Sequence, residues 1–237
     1  KLNQTNDLAT GSTYWLRRMI YNHYISSLKC EAGWWHHGYA AQIRLRLPGS
    51  PQLSRWLGQC IQNLNQDGVA QEVLAGVNSL TFTFLPQSKI QPIMEMMNQL
   101  PVPAESTVSV YTLPVMYRPN DADTAVVCAK LGIDFEALVD LHSNCEYYVA
   151  CIGFMPGFIY LGGGQQRLQL PRKHTPASRV APGSVAIADA YTGLYSVESP
   201  GGWHIIGTSQ CRGYDSLSQS FLPWKVGDKI FIKAITP

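Results

Sequence analysis

The chain has 237 residues, of which 46% are hydrophobic and 14% charged, and its formal net charge is +2. This composition buries a sizeable core and excludes disorder over most of the length. The near-neutral charge excludes a dedicated nucleic-acid binder, which carries a basic stripe. No run reaches the about 18 apolar residues of a membrane-spanning helix, and the first residues lack the apolar core of a secretory signal, so a cytoplasmic location away from membranes is expected. Six cysteines, Cys30, Cys60, Cys128, Cys145, Cys151 and Cys211, form no C-x-x-C pair and read as buried thiols of a reducing compartment rather than a disulfide framework or a metal site. So few charges also imply apolar surface covered by a partner.

Residues 14–28 suit an amphipathic helix, with Trp15, Leu16, Met19, Ile20 and Tyr24 on one face. Residues 1–37 are expected to be an N-terminal arm packed on the protein. A small α/β domain follows over residues 38–103. Alternation over 39–47 reads as a half-buried strand. Ser50 and Pro51 then open a helix, Ser50 as cap and Pro51 at its first position. Leu53, Trp56, Leu57, Cys60, Ile61 and Leu64 share its apolar face. Residues 69–74 and 80–85 read as strands around the turn at 76–79. A second helix is expected from about residue 88 to 100, and another strand over 108–116. The order β-α-β-β-α-β suggests a ferredoxin-like half.

Two prolines, Pro101 and Pro103, mark the domain boundary. Over residues 104–237 two short helices come first, 122–131 and 135–142, with Gly132 and Asp134 as their stop and start signals. Short apolar runs at 148–152, 184–188, 194–197, 203–207 and 229–233, broken by Gly and Pro, predict a closed β-barrel. The fold class is therefore α+β.

Four segments of the second domain carry candidate chemistry. His142 ends a helix on its apolar face, with Glu146 four residues on. Together they suit an acid–base pair, and a structural histidine is the competing reading. The run 153–164 combines Phe154, Pro156, Gly157, Phe158 and Tyr160 with three consecutive glycines. It offers flat apolar walls and close backbone approach, without the lysine of a phosphate-binding loop. Arg172, Lys173, His174 and Arg179 gather positive charge on a proline-stiffened loop, which suits a carboxylate or phosphate. Thr192, Tyr195 and the Pro200-Gly201-Gly202 turn lie close before Trp203 and His204, and the turn is expected to point free amides at an anion.

The runs His142-Ser-x-x-Glu146-Tyr, Gly153-Phe-x-Pro-Gly-Phe-x-Tyr-Leu-Gly162, Thr192-Gly-x-Tyr195 and Ser199-Pro-Gly-Gly-Trp-x-Ile-Ile-Gly207 resemble the family of 5-oxoprolinase B subunits, also known as allophanate hydrolase subunit 1. That family includes a sporulation kinase inhibitor and part of the carboxyltransferase region of urea carboxylase. Resemblance is close over about 106–235 and looser over 39–100. It departs at 118–123 and at Tyr191, where the family usually has Gln.

The resemblance implies a cyclophilin-like barrel and an ATP-dependent hydrolase subunit. It would open 5-oxoproline to glutamate with a larger C subunit and an A subunit, using ATP and Mg at the level of the complex, with no metal held by this chain. The implied catalytic residues are His142, Glu146, Arg172 and Arg179. The implied substrate-binding residues are Phe154, Pro156, Gly157, Phe158, Thr192, Tyr195, Pro200, Gly201, Gly202, Trp203 and His204. Two other functions fit the same family: a regulatory protein that inhibits a histidine kinase, and a carboxyltransferase component of a biotin-dependent urea or allophanate system.

Overall fold

The structure, a computed structural model, describes residues 28–35, 38–45, 50–66, 72–84, 108–215 and 220–235. The chain divides into two compact units, residues 1–104 and 105–237. The helices expected at 14–28 and 88–100 lie outside the described residues, apart from Leu28 itself.

In the first unit, strands β1 (Leu28–Trp35), β2 (Gly38–Leu45), β3 (Glu72–Gly76) and β4 (Ser79–Phe84) form an antiparallel sheet in the order β1-β2-β4-β3, with helix α1 (Pro51–Gln66) between β2 and β3. The Ser50 hydroxyl accepts the Leu53 amide at 3.1 Å, as the cap reading requires. Leu53, Trp56, Leu57, Cys60 and Leu64 are buried on one face of α1. Strands β2, β4 and β3 keep the neighbour order of a ferredoxin-like half. The strand beside β2 differs from the expected one. It is β1, from the segment read as an arm, whereas the strand expected at 108–116 belongs to the second unit. Strand periodicity marks a strand without naming its sheet, so pairing of this kind is invisible to it.

The second unit is built on a closed barrel of seven strands, in the order β10-β7-β6-β15-β5-β12-β9. These are β5 (Val110–Met116), β6 (Glu146–Ile152), β7 (Ile159–Gly162), β9 (Ser184–Ala188), β10 (Tyr191–Leu194), β12 (His204–Thr208) and β15 (Lys229–Ile235). All barrel pairs are antiparallel except β5 with β15, which run parallel over seven residue pairs. Short pairs β8 (Ala177–Val180) with β11 (Ser199–Gly201), and β13 (Tyr214–Asp215) with β14 (Ser220–Phe221), stand outside it.

Helices α2 (Ala122–Leu131) and α3 (Phe135–Ser143) follow β5. Gly132 ends α2 in the left-handed conformation, and the Asp134 side chain accepts the Ala137 amide to open α3. Both are the signals read from the sequence.

Strand parity then decides what each face holds. All five residues of β9 are buried. Val185 and Ile187 join the main core with Leu113, Val149, Leu161, Leu194, Ile206 and Ile230. Ala186 and Ala188 face a second cluster with Phe158, Tyr195 and Trp203. Burial of such side chains stabilises by about 1.5–3 kcal/mol each, as an upper bound. The barrel thus has an aliphatic interior and one aromatic outer wall, and the candidate residues lie along that division.

Candidate functional site

Helix α3 places Leu138 and His142 one turn apart, and both are fully buried. The imidazole is held from both sides. Its Nδ1 lies 2.7 Å from the Tyr117 hydroxyl and its Nε2 lies 2.9 Å from Thr192 Oγ1. The Tyr147 hydroxyl donates to the His142 carbonyl at 2.8 Å. Burial drives the His142 pKa down to about 3, so the ring is neutral at ordinary pH. Burial also raises the hydroxyls of Tyr117 and Tyr147 well above the usual tyrosine range, which keeps both protonated.

Glu146 does not join this group. It starts β6 with its side chain half exposed, and its carboxylate pairs with the Lys229 ammonium at 3.0 Å. The expected His142–Glu146 acid–base pair is therefore corrected: strand β6 turns the carboxylate to the barrel surface, and two hydroxyls take both ring nitrogens.

The glycine- and aromatic-rich run gives the loop from 153 to 158 and strand β7. Gly157 has a φ of +72°, and a Cβ there would sit 2.5 Å from the Gly213 carbonyl carbon, so only glycine suits the close approach. Phe154 also has a positive φ, +73°, and is 70% exposed. Its ring meets the edge of Phe158 at 5.6 Å. Phe158 is buried against Tyr160, Tyr195 and Trp203, with ring centroids 4.7, 4.9 and 5.8 Å away. Pro156 is exposed, and its carbonyl accepts the Ser196 hydroxyl.

Along the basic loop, the Arg172 guanidinium lies over Trp203, 5.8 Å from the ring centroid, and its Nε is 3.6 Å from Asp189. Lys173 is tied to Asp123 at 2.7 Å. Arg179, on β8, points to the surface and pairs with Glu198 at 2.6 Å. Pro200-Gly201-Gly202 differs from the expected free turn. Ser199–Gly201 form β11 on β8, and the Gly202 carbonyl accepts the Lys173 amide at 2.7 Å. His204 is buried, with Nε2 3.0 Å from the Pro171 carbonyl, while its Nδ1 has no partner among the described residues.

A small, solvent-open hollow lies beside the turn between β9 and β10, lined by Tyr147, Gln165, Gln169, Asp189, Tyr191 and Thr192 among others. Asp189 sits in the two-residue turn between β9 and β10 with a φ of +51°, a conformation that Asp tolerates better than most residues. Thr192 connects the hollow to His142, Asp189 connects it to Arg172, and Tyr191 connects it to Tyr160 at 6.5 Å. Burial raises the Tyr160 and Tyr191 hydroxyls, so both present O–H donors.

Of the residues singled out in the sequence, Thr192 lines the hollow, His142 holds Thr192 from within the core, and Arg172 reaches the hollow through Asp189, with Trp203 packed under its guanidinium. Phe158 and Tyr195 build the wall that supports Trp203. Glu146, Arg179, Phe154, Pro156 and Pro200 lie on exposed surface. Sequence reasoning missed Tyr117, Tyr147, Asp123 and Asp189. Tyr117 and Asp123 are distant in the chain from their partners, Tyr147 lies five residues from His142 on a strand that carries no mark of the contact, and only Asp189 left a signal, as an Asp between two strand-like runs.

The pattern of the family described as "Carboxyltransferase domain, subdomain C and D" matches residues 39–224. The chain belongs to this family. Among curated relatives, the 5-oxoprolinase B subunit of Haemophilus influenzae is 33% identical over 189 residues, 77% of this chain and 88% of that protein. The protein of the same name from Escherichia coli O157:H7 is 38% identical over 119 residues, and the match spans 50% of this chain and 55% of that protein. The crystal structure of the K. lactis urea amidolyase has the same fold over 83% of this chain and 14% of its own, with a TM-score of 0.62 and 15% identity. No helix among the described residues is long and apolar enough to cross a membrane.

Proposed function

We propose that this chain is the B subunit of an ATP-dependent 5-oxoprolinase, which opens 5-oxoproline to glutamate together with a larger C subunit and an A subunit in the cytoplasm. The observation that carries the reading is the relative of that name in Haemophilus influenzae, matched over most of its length. The site supports it in kind. It has a small hollow with hydroxyl donors and a carboxylate rim, and an exposed guanidinium paired with that carboxylate, which suit a compact molecule carrying an amide and a carboxylate.

Arg172 is placed to hold an anionic group, because its guanidinium is 62% exposed beside the hollow and its ion pair with Asp189 is loose. Trp203 keeps its plane in position from below. His142 supports the hollow from behind. ATP and Mg belong, on this reading, to the assembled complex.

The experiment is co-expression of the chain with the C and A subunits of its own source, with purification through a tag on this chain. The proposal expects a hetero-oligomer in which all subunits are retained. A monodisperse monomer that opens 5-oxoproline with ATP unaided would overturn it. A carboxyltransferase acting in a biotin-dependent system is the second reading, favoured by the family match and the urea amidolyase fold. It expects the purified chain to catalyse transfer of the carboxyl group from a separate carboxybiotin carrier to urea.

A further inference from the structure

Counting hydrogens through the buried chain Tyr117–His142–Thr192–Tyr147 fixes its direction. The four residues are at most 6% exposed, so each polar hydrogen needs an acceptor inside the protein. The Tyr147 hydroxyl donates to the His142 carbonyl. The hydroxyl of Tyr117 has one partner among the described residues, His142 Nδ1. If Nδ1 carried the ring hydrogen, the Tyr117 hydrogen would be buried without an acceptor. Tyr117 therefore donates to Nδ1, and the ring hydrogen sits on Nε2. Thr192 Oγ1 must then accept from Nε2, which leaves the Thr192 hydrogen to be donated onward. Tyr147 and Thr192 stand together on the lining of the hollow. The Thr192 hydrogen thus rests on Tyr147 or turns into the hollow.

An amide carries an acceptor and a donor side by side. The hollow offers the complement: the Thr192 hydroxyl as donor and the Asp189 carboxylate as acceptor, with Gln165 and Gln169 on its rim. Resting on the function proposed above, we infer that His142 is a positioning residue whose Nε2–H turns the Thr192 hydroxyl outward as a donor, and that the hollow receives the carbonyl oxygen of a small amide. His142 touches no ligand in this arrangement. Its role passes through Thr192, and a proton shuttle between His142 and Glu146 has no geometry to run on.

The test uses the full chain labelled with nitrogen-15 at histidine, with 2-pyrrolidinone and 5-oxoproline as probes and pyrrolidine as the control that lacks a carbonyl. The expected spectrum shows His142 as the neutral Nε2–H tautomer, with its Nε2 signal shifting on addition of either amide and not of pyrrolidine. Thr192→Ser should keep amide affinity, and Thr192→Val should lose about tenfold, the size of one hydrogen bond. An Nδ1–H tautomer or an imidazolium at pH 7 would overturn the inference, as would unchanged affinity in Thr192→Val. The two proposals separate cleanly. Amide binding with the expected tautomer in a complex that leaves 5-oxoproline intact sinks the proposed activity alone. A working complex in which Thr192→Val keeps affinity and turnover sinks the positioning role alone.

Discussion

The Asp123 carboxylate lies 2.7 Å from the Lys173 ammonium, and the same oxygen accepts the Ile205 amide at 2.9 Å. This contact ties the first turn of α2 to the basic loop and to β12, fifty residues and more away in sequence. Both side chains are about four-fifths buried, so the pair is weakly screened. Asp123→Asn leaves the Lys173 charge without its partner and should destabilise by about 1–3 kcal/mol. It should also free Arg172, one residue before Lys173. Urea unfolding checks the first effect. A variant as stable as wild type would show that the contact holds nothing.

Arg172 is exposed, and its pairing with Asp189 at 3.6 Å is loose. Removing it should change stability by less than about 1 kcal/mol. Its proposed work is on an anionic group, so Arg172→Ala should lower turnover of the assembled complex by on the order of 2–4 kcal/mol in transition-state stabilisation. Arg172→Lys keeps the charge and loses the planar fork over Trp203, so it should remain impaired. Near-normal rates in both variants would return Arg172 to an ordinary surface loop.

Gly157→Ala asks a side chain to fit where a Cβ would lie 2.6 Å from both the Tyr214 amide nitrogen and the Tyr214 Cβ, at a φ of +72°. The contact is largely with backbone and cannot swing away. A loss of about 2–4 kcal/mol is expected from strain and clash together. Thermal unfolding of the variant measures it, and a melting temperature equal to wild type would contradict the close packing of this loop on residues 213–214.

His142 has a folded pKa of about 3, depressed by burial from an ordinary value of 6.5. The unfolded chain therefore binds a proton at a higher pH than the folded one. His142 contributes stability that is complete above about pH 6.5 and is lost as pH falls towards about 3, at up to about 1.4 kcal/mol per pH unit. Urea unfolding between pH 7.5 and 4.5 should show this slope in wild type and a shallower one in His142→Gln. Equal slopes would mean that the imidazole is not buried neutral.

Much of the second unit is legible in the sequence. The start of β15, all of β9 and both helices fall where apolar runs and cap residues put them, because each is a local signal. Strand β7 is hidden inside the glycine-aromatic run, since Ile159–Gly162 is too short to show a period. The apolar run at 194–197 suggests a strand, yet the ladder runs over Tyr191–Leu194, because a two-residue turn moves the pairing forward. The site divides in the same way. His142, Arg172, Thr192 and Trp203 stand out as chemistry-bearing types near glycine turns. The residues that hold them in place do not, because Tyr117 meets His142 and Asp123 meets Lys173 only through the closure of the barrel. Glu146 is near His142 in sequence alone, and strand geometry sends its carboxylate to the barrel surface.

The central claim is the function proposed for the chain, and the direct measurement is ATP hydrolysis by the purified complex of this chain with its C and A subunits, with and without 5-oxoproline. The proposal predicts ADP and glutamate in equal amounts when 5-oxoproline is present, with loss of both when this chain is left out. An assembled complex that releases no glutamate from 5-oxoproline, or one that works equally well without this chain, would contradict it.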